Sequence, residues 1–250
     1  MQTIARLIRA VGLGASVIDR KLKWGARASM LRADIARTLA SGGRAILVEL
    51  ADDLAVTFPR QRLLFIDHHG ARAGAAQPSA LRQVFRMLGG PSRPPWSRHF
   101  ALVEANDVGH IVGLQAAGAT DWEIRAIRAA DRRAQGVSLE TEIASRTAIA
   151  QAEQLDWLTI VRVAAVTSSA VTDFIDASFG GPGARDVLVQ TTRSVLFFGR
   201  GDVVMQLAKL PKSWFGGALP ERGYWGMSLE QAPGLREVAQ RILHGRASRE

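Results

Sequence analysis

The sequence predicts an α/β fold: a doubly wound, mostly parallel sheet domain followed by a smaller α+β domain. Two short and almost continuous apolar runs, 44–50 and 62–69, are typical of strands that are buried on both faces of a parallel sheet. Amphipathic helical patterns flank these runs, as a doubly wound sheet requires. From Trp157 onward, β-rich runs joined by short turns replace that alternation.

The elements of the first half follow from their apolar spacing and end signals. Residues 1–43 are expected to be mainly helical and to end at two glycines. After the two apolar strands and a helix that ends near Gly90, residues 99–107 are expected to form a third strand ending in acidic residues. Thr120 and Glu123 form a capping box for the next helix, and Ser138 caps the one after it.

The second half contains three β-rich runs, a short helix over 202–210 and a glycine-rich segment over 214–228. The change of pattern places a boundary near residues 154–158. We therefore expect one domain over 1–154, whose residues 1–43 form a helical part, and a second domain over 155–250.

Composition limits the environment and the partners. The chain has no cysteine, which excludes disulfides and thiolate metal sites and favours the reducing cytoplasm. Its longest stretch without a charged residue, 108–120, is too short to cross a bilayer. The net charge of +9 is spread along the chain, so both a generally basic surface and a phosphate-binding surface remain open. A homodimer also remains open.

Acidic and histidine side chains gather at the predicted strand ends. Asp67, His68 and His69 follow the second strand, Glu49 follows the first and Asp107 follows the third. Ligands of parallel α/β sheets bind at this edge, and carboxylates with imidazoles are ligands of manganese, iron or zinc. The alternative is structural: a strand-end aspartate caps the next helix and a histidine packs beneath it.

The spacing of Asp107 and His110 is compatible with one helix face and a shared metal. It is equally compatible with Asp107 as a helix cap and His110 as a packing residue.

The run Asp67-His68-His69 resembles the signature of the DHH phosphoesterase superfamily. That family carries an acid at the end of the preceding strand, where Glu49 is the closest match here. Its later T-D-T-G-x-F-like sequence is similar to residues 105–111, with Asp107 in the aspartate's place. Residues 196–208 and 214–217 resemble the DHH-associated domain, in which a strand ending like S-L-R-S precedes a short helix and a G-G-G-H loop.

The resemblance implies a DHH-like domain over 1–154 and a DHH-associated-like, substrate-binding domain over 155–250. It implies a metal-dependent phosphoesterase that uses Mn²⁺ or another divalent metal, one or two ions, in a cleft between the domains. The implied substrate is a nucleotide or short single-stranded nucleic acid. The implied catalytic residues are Asp67, His68 and His69; the metal ligands are Glu49, Asp67, His68 and Asp107; the substrate-binding residues are His69, Arg200, Gly216 and Gly217; and the extra candidate ligands are Asp52, Asp53 and His110.

The chain departs from the family pattern at two places. The N-terminal H-x-D-x-D-G-type motif is missing; in residues 17–31 Asp19 remains, but Lys and Trp stand where acids are expected. The histidine that ends the glycine-rich loop is missing too. A catalytically inactive DHH-like protein that binds nucleotide or nucleic acid is therefore the alternative.

Overall fold

The computed structural model describes residues 1–22, 25–54, 58–68, 78–91 and 93–247 of a mixed α/β protein. The chain divides into two compact units, Met1–His110 and Ile111–Glu250. The domain boundary predicted near residues 154–158 falls inside the second unit, so the two compact units do not coincide with the two predicted domains. The division into those domains stays a prediction. Within the described residues no helix is long and apolar enough to span a bilayer.

The helices are α1 Gln2–Ala10, α2 Arg32–Ala40, α3 Ala80–Met87, α4 Arg98–Ala116, α5 Asp121–Ala134, α6 Leu139–Ala150, α7 Ser169–Phe174, α8 Gly201–Leu207 and α9 Leu235–Ala247. The strands are β1 Ala45–Val48, β2 Leu63–Ile66, β3 Glu153–Leu155, β4 Leu158–Arg162, β5 Val187–Gln190, β6 Ser194–Arg200, β7 Trp214–Gly216 and β8 Arg222–Ser228.

The first unit contains the two predicted apolar strands, and they pair in parallel. The register runs from Ala45 opposite Leu63 to Val48 opposite Ile66. One face of the pair packs against α2 through Leu47 and Ile35. The other face packs against α1 and α3, where Ile66 joins a buried apolar cluster. Helices thus pack on both faces of this pair, and both strands end at the same edge. Burial on both faces was predicted for the strands and is incomplete, because Ile46 is 45% and Leu64 is 46% exposed.

The predicted third strand is wrong: residues 99–107 lie inside α4. The Ser97 hydroxyl accepts the Phe100 N–H at 3.2 Å, a side-chain cap that starts a helix. Ala101, Leu102 and Glu104 then favour the helix by propensity. In the described part of the first unit the sheet therefore has only β1 and β2, and the doubly wound, mostly parallel sheet is not seen there.

The second unit is built on a six-stranded sheet in the order β3-β4-β5-β6-β8-β7. Only β4 and β5 pair in parallel; the other neighbours are antiparallel. Helices α8 and α9 cover one face, where Phe197 and Trp225 are fully buried. Helices α6 and α7 pack on the other face against Val161 and Val189. The predicted β-rich runs are confirmed, and the glycine-rich segment also supplies strands, β7 and β8.

The predicted helix caps of this unit are confirmed. The Thr120 hydroxyl accepts the Glu123 N–H, and the Glu123 carboxylate accepts the Thr120 N–H at 2.9 Å. The Ser138 hydroxyl accepts the Thr141 N–H at the start of α6. The reciprocal pair at Thr120 and the single bond at Ser138 satisfy main-chain donors that the first turn of a helix leaves unpaired.

A buried ionic cluster joins α5, α6 and α7; we call it the Asp173 cluster. The fully buried Asp173 carboxylate accepts hydrogen bonds from Arg128 Nε at 2.8 Å and from Arg132 Nη1. Arg132 Nε also donates to Glu142 at 2.8 Å, and Arg128 Nη1 to Asp131 at 2.6 Å. Burial raises the pKa of Asp173, and the two guanidinium groups oppose that shift.

Candidate metal centre

The parallel pairing of β1 and β2 brings the residues after both strands to one edge. Glu49 directly follows β1, and its N–H donates to the Ile66 carbonyl at 2.9 Å, so the two strand ends are tied together. Glu49 has a φ of 56°, a left-handed conformation that is uncommon outside glycine. Such strain persists only where the surroundings determine the backbone, and it clusters at functional sites.

Three of the predicted ligands converge at this edge. Glu49, Asp67 and His68 each offer one ligand atom, and these atoms all lie within 4.8 Å of one another. His68 Nδ1 lies 2.9 Å from Glu49 Oε1, and His68 Nε2 lies 3.6 Å from Asp107 Oδ2. The His68 side chain is 9% exposed, whereas Asp107 is 44% exposed. The imidazole thus stands between two carboxylates, with a third beside it; we call these four residues the strand-end cluster.

The contacts of the imidazole define how it can bind a metal. When Nδ1 carries the proton, it donates to the Glu49 carboxylate and leaves the lone pair of Nε2 on the side of Asp107. Metal-binding histidines are commonly oriented in this way, with the second ring nitrogen donating to a carboxylate. Glu49 can therefore orient the His68 imidazole. This role adds to the metal-ligand role that the resemblance implies for Glu49.

The donor set of the strand-end cluster fits a divalent ion. It offers carboxylate oxygens and an imidazole nitrogen without a thiolate, which suits manganese, iron or zinc rather than a soft-ligand site. Asp107 reaches the cluster from a helix, α4, and not from the strand end that the sequence suggested. The element was predicted wrongly, yet the side chain lies beside His68.

The extra candidate ligands do not belong to the group of three described above. Asp52 accepts two hydrogen bonds from Arg60 Nη1, at 2.9 and 2.8 Å. Asp53 accepts the Ser29 hydroxyl at 2.6 Å and the Ser29 N–H at 2.8 Å, and these bonds lower the pKa of Asp53.

His110 interrupts α4 with φ 53° and ψ −141°, so the helix face expected for positions 107 and 110 does not extend to it. His69, the predicted phosphate-facing residue, lies outside the described residues.

Arg200 belongs to the second unit, where it ends β6 and precedes α8. Its N–H donates to Asp186 Oδ1 at 2.8 Å, and its guanidinium carbon lies 4.2 Å from the ring centroid of Trp157. Its Nε lies 3.8 Å from Asp186 Oδ2. Among the described residues, none accepts a hydrogen bond from its buried Nε and Nη2. Sequence reasoning missed Asp186 and Trp157, because only the fold brings them to this arginine.

Protein atoms fill the space beside the two predicted loop glycines. A Cβ at Gly216 would meet the Tyr224 hydroxyl at 2.7 Å, and one at Gly217 would meet the Gly223 Cα at 2.6 Å. Gly217 also has a φ of 111°, which L-residues rarely adopt. Close packing of β7 on β8 therefore requires both glycines. Their role in substrate binding remains a prediction.

No family model matches the chain, and no curated protein matches it. Among the solved structures that match is one described as the pGpG-specific phosphodiesterase PggH from Vibrio cholerae. The match covers 98% of this chain and 95% of that chain, with 15% sequence identity and a TM-score of 0.46.

Proposed function

We propose that this protein is a metal-dependent phosphoesterase that hydrolyses phosphodiester bonds of nucleotides or short oligonucleotides. The observation that carries the proposal is the position of His68 between the Glu49 and Asp107 carboxylates, with Asp67 in the same cluster. Asp67 and His68 of this cluster belong to the Asp-His-His run that resembles the DHH signature, and Glu49 and Asp107 match the acids of the flanking motifs. Geometry and motif thus point to the same four residues.

Each residue of the cluster has a defined task in this proposal. Asp67, His68 and Asp107 hold the ion, and Glu49 keeps the imidazole in the tautomer that presents Nε2. A divalent ion, Mn²⁺ in our proposal, supplies Lewis-acid stabilisation of charge on phosphate oxygens and acidifies a water molecule when bound. His69 contacts the phosphate, as the resemblance implies.

We further propose, from the sequence motifs, that the substrate lies in a cleft between the two functional domains. Arg200 holds the end of the substrate remote from the scissile bond, and the loop at Gly216 and Gly217 lines its site. A guanidinium stacked on Trp157 is held in a fixed plane and suits bidentate phosphate binding. Arg200→Ala should raise KM for a dinucleotide and leave the Mn²⁺ dissociation constant unchanged. A changed Mn²⁺ affinity with an unchanged KM would contradict this assignment.

The activity is tested with purified protein, Mn²⁺ and a panel of linear dinucleotides, cyclic dinucleotides and short oligonucleotides. Release of mononucleotide, followed by chromatography, is the readout. We expect turnover that EDTA abolishes and that Asp67→Asn lowers strongly, because the substitution removes the charge of a proposed metal ligand. Protein that is folded by circular dichroism and releases nothing from the whole panel would exclude the phosphoesterase.

The alternative is a binding protein without catalysis, and the first-motif region favours it. Asp19, the acid that remains there, is exposed and accepts the Lys21 N–H in a local turn. Calorimetry separates the two functions: dinucleotide binding that is indifferent to both Mn²⁺ and EDTA supports the binding protein. Mn²⁺ binding that disappears in Asp67→Asn supports the enzyme.

A further inference from the structure

Gln83, on α3, donates a hydrogen bond to the main chain of the candidate metal centre and is not itself a candidate ligand. Its side-chain Nε2 donates to the carbonyl of Asp67 at 3.1 Å and to the carbonyl of Pro78 at 2.9 Å. Both N–H groups of the amide are therefore used on main-chain acceptors. Gln83 is half-buried and carries no charge, so nothing in the sequence marks it as part of a site.

The start of α3 explains why Gln83 reaches these carbonyls. Ser79 is fully buried and caps the helix, because its hydroxyl accepts the Arg82 N–H at 3.1 Å. Gln83 lies one turn into the helix, where its own N–H donates to the Ser79 carbonyl at 3.0 Å. Helical side chains lean toward the N-terminus of their helix. The amide of Gln83 is thereby directed back over the first turn, to Pro78 and Asp67.

Helix α3 is a rigid support for this contact. Leu81 and Val84 are buried in the same apolar cluster as Ile66, the last residue of β2. The donor on Gln83 and the strand that leads to Asp67 thus belong to one packed layer. Protein interiors are close-packed and have low compressibility, so a displacement of one side chain is transmitted to its neighbours.

The same helix is joined to the element that carries Asp107. Glu104, on α4, accepts the Ser79 hydroxyl at 3.0 Å and Arg82 Nε at 3.0 Å. Glu104 precedes Asp107 by three residues, less than one turn of α4. Helix α3 is therefore fixed at once to the strand end that bears Asp67 and His68 and to the helix that bears Asp107.

We propose that Gln83 is a positioning residue of the metal centre, an inference that rests on the proposed function. The Asp67 carbonyl belongs to the peptide group that joins Asp67 to His68. A hydrogen bond to it fixes the plane of that group, and with it the directions in which both side chains leave the main chain. Metal ligands need placement to within about 0.5 Å, which this outer contact supplies.

The test compares Gln83→Met with a matched glutamine of the second unit. Met retains similar volume but cannot donate. Gln206, on α8, also donates from Nε2 to a main-chain carbonyl of another helix, that of Arg241 at 2.8 Å, so Gln206→Met is the control. We expect the Mn²⁺ dissociation constant from calorimetry to rise about 10–100-fold in Gln83→Met, the usual effect of losing an outer contact of a metal site. Gln206→Met should bind Mn²⁺ as the wild type does.

Unfolding in urea with EDTA present distinguishes positioning from a general structural role. A positioning role predicts similar midpoints for the metal-free Gln83→Met and Gln206→Met proteins. Gln83→Leu, which also lacks the donor and adds no charge near the ion, should repeat the Mn²⁺ result. Equal Mn²⁺ affinity in Gln83→Met and the wild type would overturn this inference alone. The inference would also be overturned if Gln206→Met lost the same Mn²⁺ affinity. It would be overturned as well if the affinity loss in Gln83→Met were matched by a lower urea midpoint of the metal-free protein. A wild type that binds no Mn²⁺ would overturn the proposed function together with this inference.

Discussion

Carboxylates meet different partners in the two units of this protein. In the first unit, the strand-end cluster places the His68 imidazole between Glu49 and Asp107. In the second unit, the Asp173 carboxylate accepts from two guanidinium groups, those of Arg128 and Arg132. Exposure differs as well: the Asp173 side chain is 0% exposed, whereas Asp107 is 44% exposed.

The difference separates a cluster that can take up a ligand from one that holds helices together. A neutral imidazole offers a lone pair, so His68 and the acids around it can bind a cation together. A guanidinium is always protonated and offers only donors, so each arginine already neutralises the acid that it contacts. The strand-end cluster is thus suited to reversible binding, and the Asp173 cluster is suited to fixing α5 against α7.

The largest effect is expected at the Asp173 cluster. Asp173→Ala leaves two buried guanidinium groups without their shared carboxylate, which should cost about 3–5 kcal/mol of unfolding free energy. Urea denaturation measures it. The exposed Glu230 serves as control, and Glu230→Ala should change the free energy by about 0.5 kcal/mol or less. Mn²⁺ affinity of the folded Asp173→Ala protein should equal that of the wild type. A stability change similar to that of the control would remove the contrast between the clusters.

A smaller effect is expected when the acid behind His68 is neutralised. Glu49→Gln keeps an acceptor near Nδ1 but removes the charge that orients the imidazole and attracts the ion. We expect Mn²⁺ binding to weaken about 10–100-fold. Calorimetry of Asp53→Asn is the control, because Asp53 follows the same strand but is bonded to Ser29. An equal loss of affinity in Asp53→Asn would mean that Asp53 contributes as much to ion binding as Glu49 does, and it would contradict the strand-end cluster as the binding site.

The parts of the fold that sequence predicted are those set by local signals. The strands β1 and β2 follow from continuous apolar runs, and the capping box at Thr120 follows from residues three apart. The prediction of a third strand over residues 99–107 was wrong because it also rested on local signals alone. The apolar residues there suit a strand or a helix, and the cap at Ser97 favours the helix.

The candidate site was predictable only where residues are adjacent in sequence. The Asp67-His68 pair stands out as a run, whereas Glu49 is 19 residues from His68 and was found through parallel strand ends. Asp173 lies 45 residues from Arg128, and Gln83 contacts a main-chain carbonyl 16 residues away. Contacts of that kind depend on how helices dock, and no spacing rule in the sequence encodes them.

The smallest effect is expected at Glu104, which combines features of the two clusters. Like Asp173, Glu104 is bonded to an arginine; like Glu49, it is partly exposed, at 19%. Burial acts to raise its pKa, but the hydrogen bonds from Arg82 and Ser79 outweigh burial, so the pKa of Glu104 lies below its ordinary value. The unfolded chain then binds more protons at acid pH than the folded one. The stability that Glu104 contributes is present above its ordinary pKa and is lost as pH falls through the lowered one.

Glu104→Gln should therefore flatten the fall of unfolding free energy between about pH 5 and pH 3, by roughly 1 kcal/mol or less for a partly exposed pair. Urea denaturation across that range measures it. Glu153→Gln is the control, because Glu153 meets Arg162 at 3.1 Å with both side chains more than 40% exposed; its profile should run parallel to that of the wild type. If Glu104→Gln also runs parallel, the contact between α3 and α4 is no stronger than a surface ion pair. The connection between α3 and the helix that bears Asp107 would then depend on the Ser79 hydrogen bond and on apolar packing, and not on the charge of Glu104.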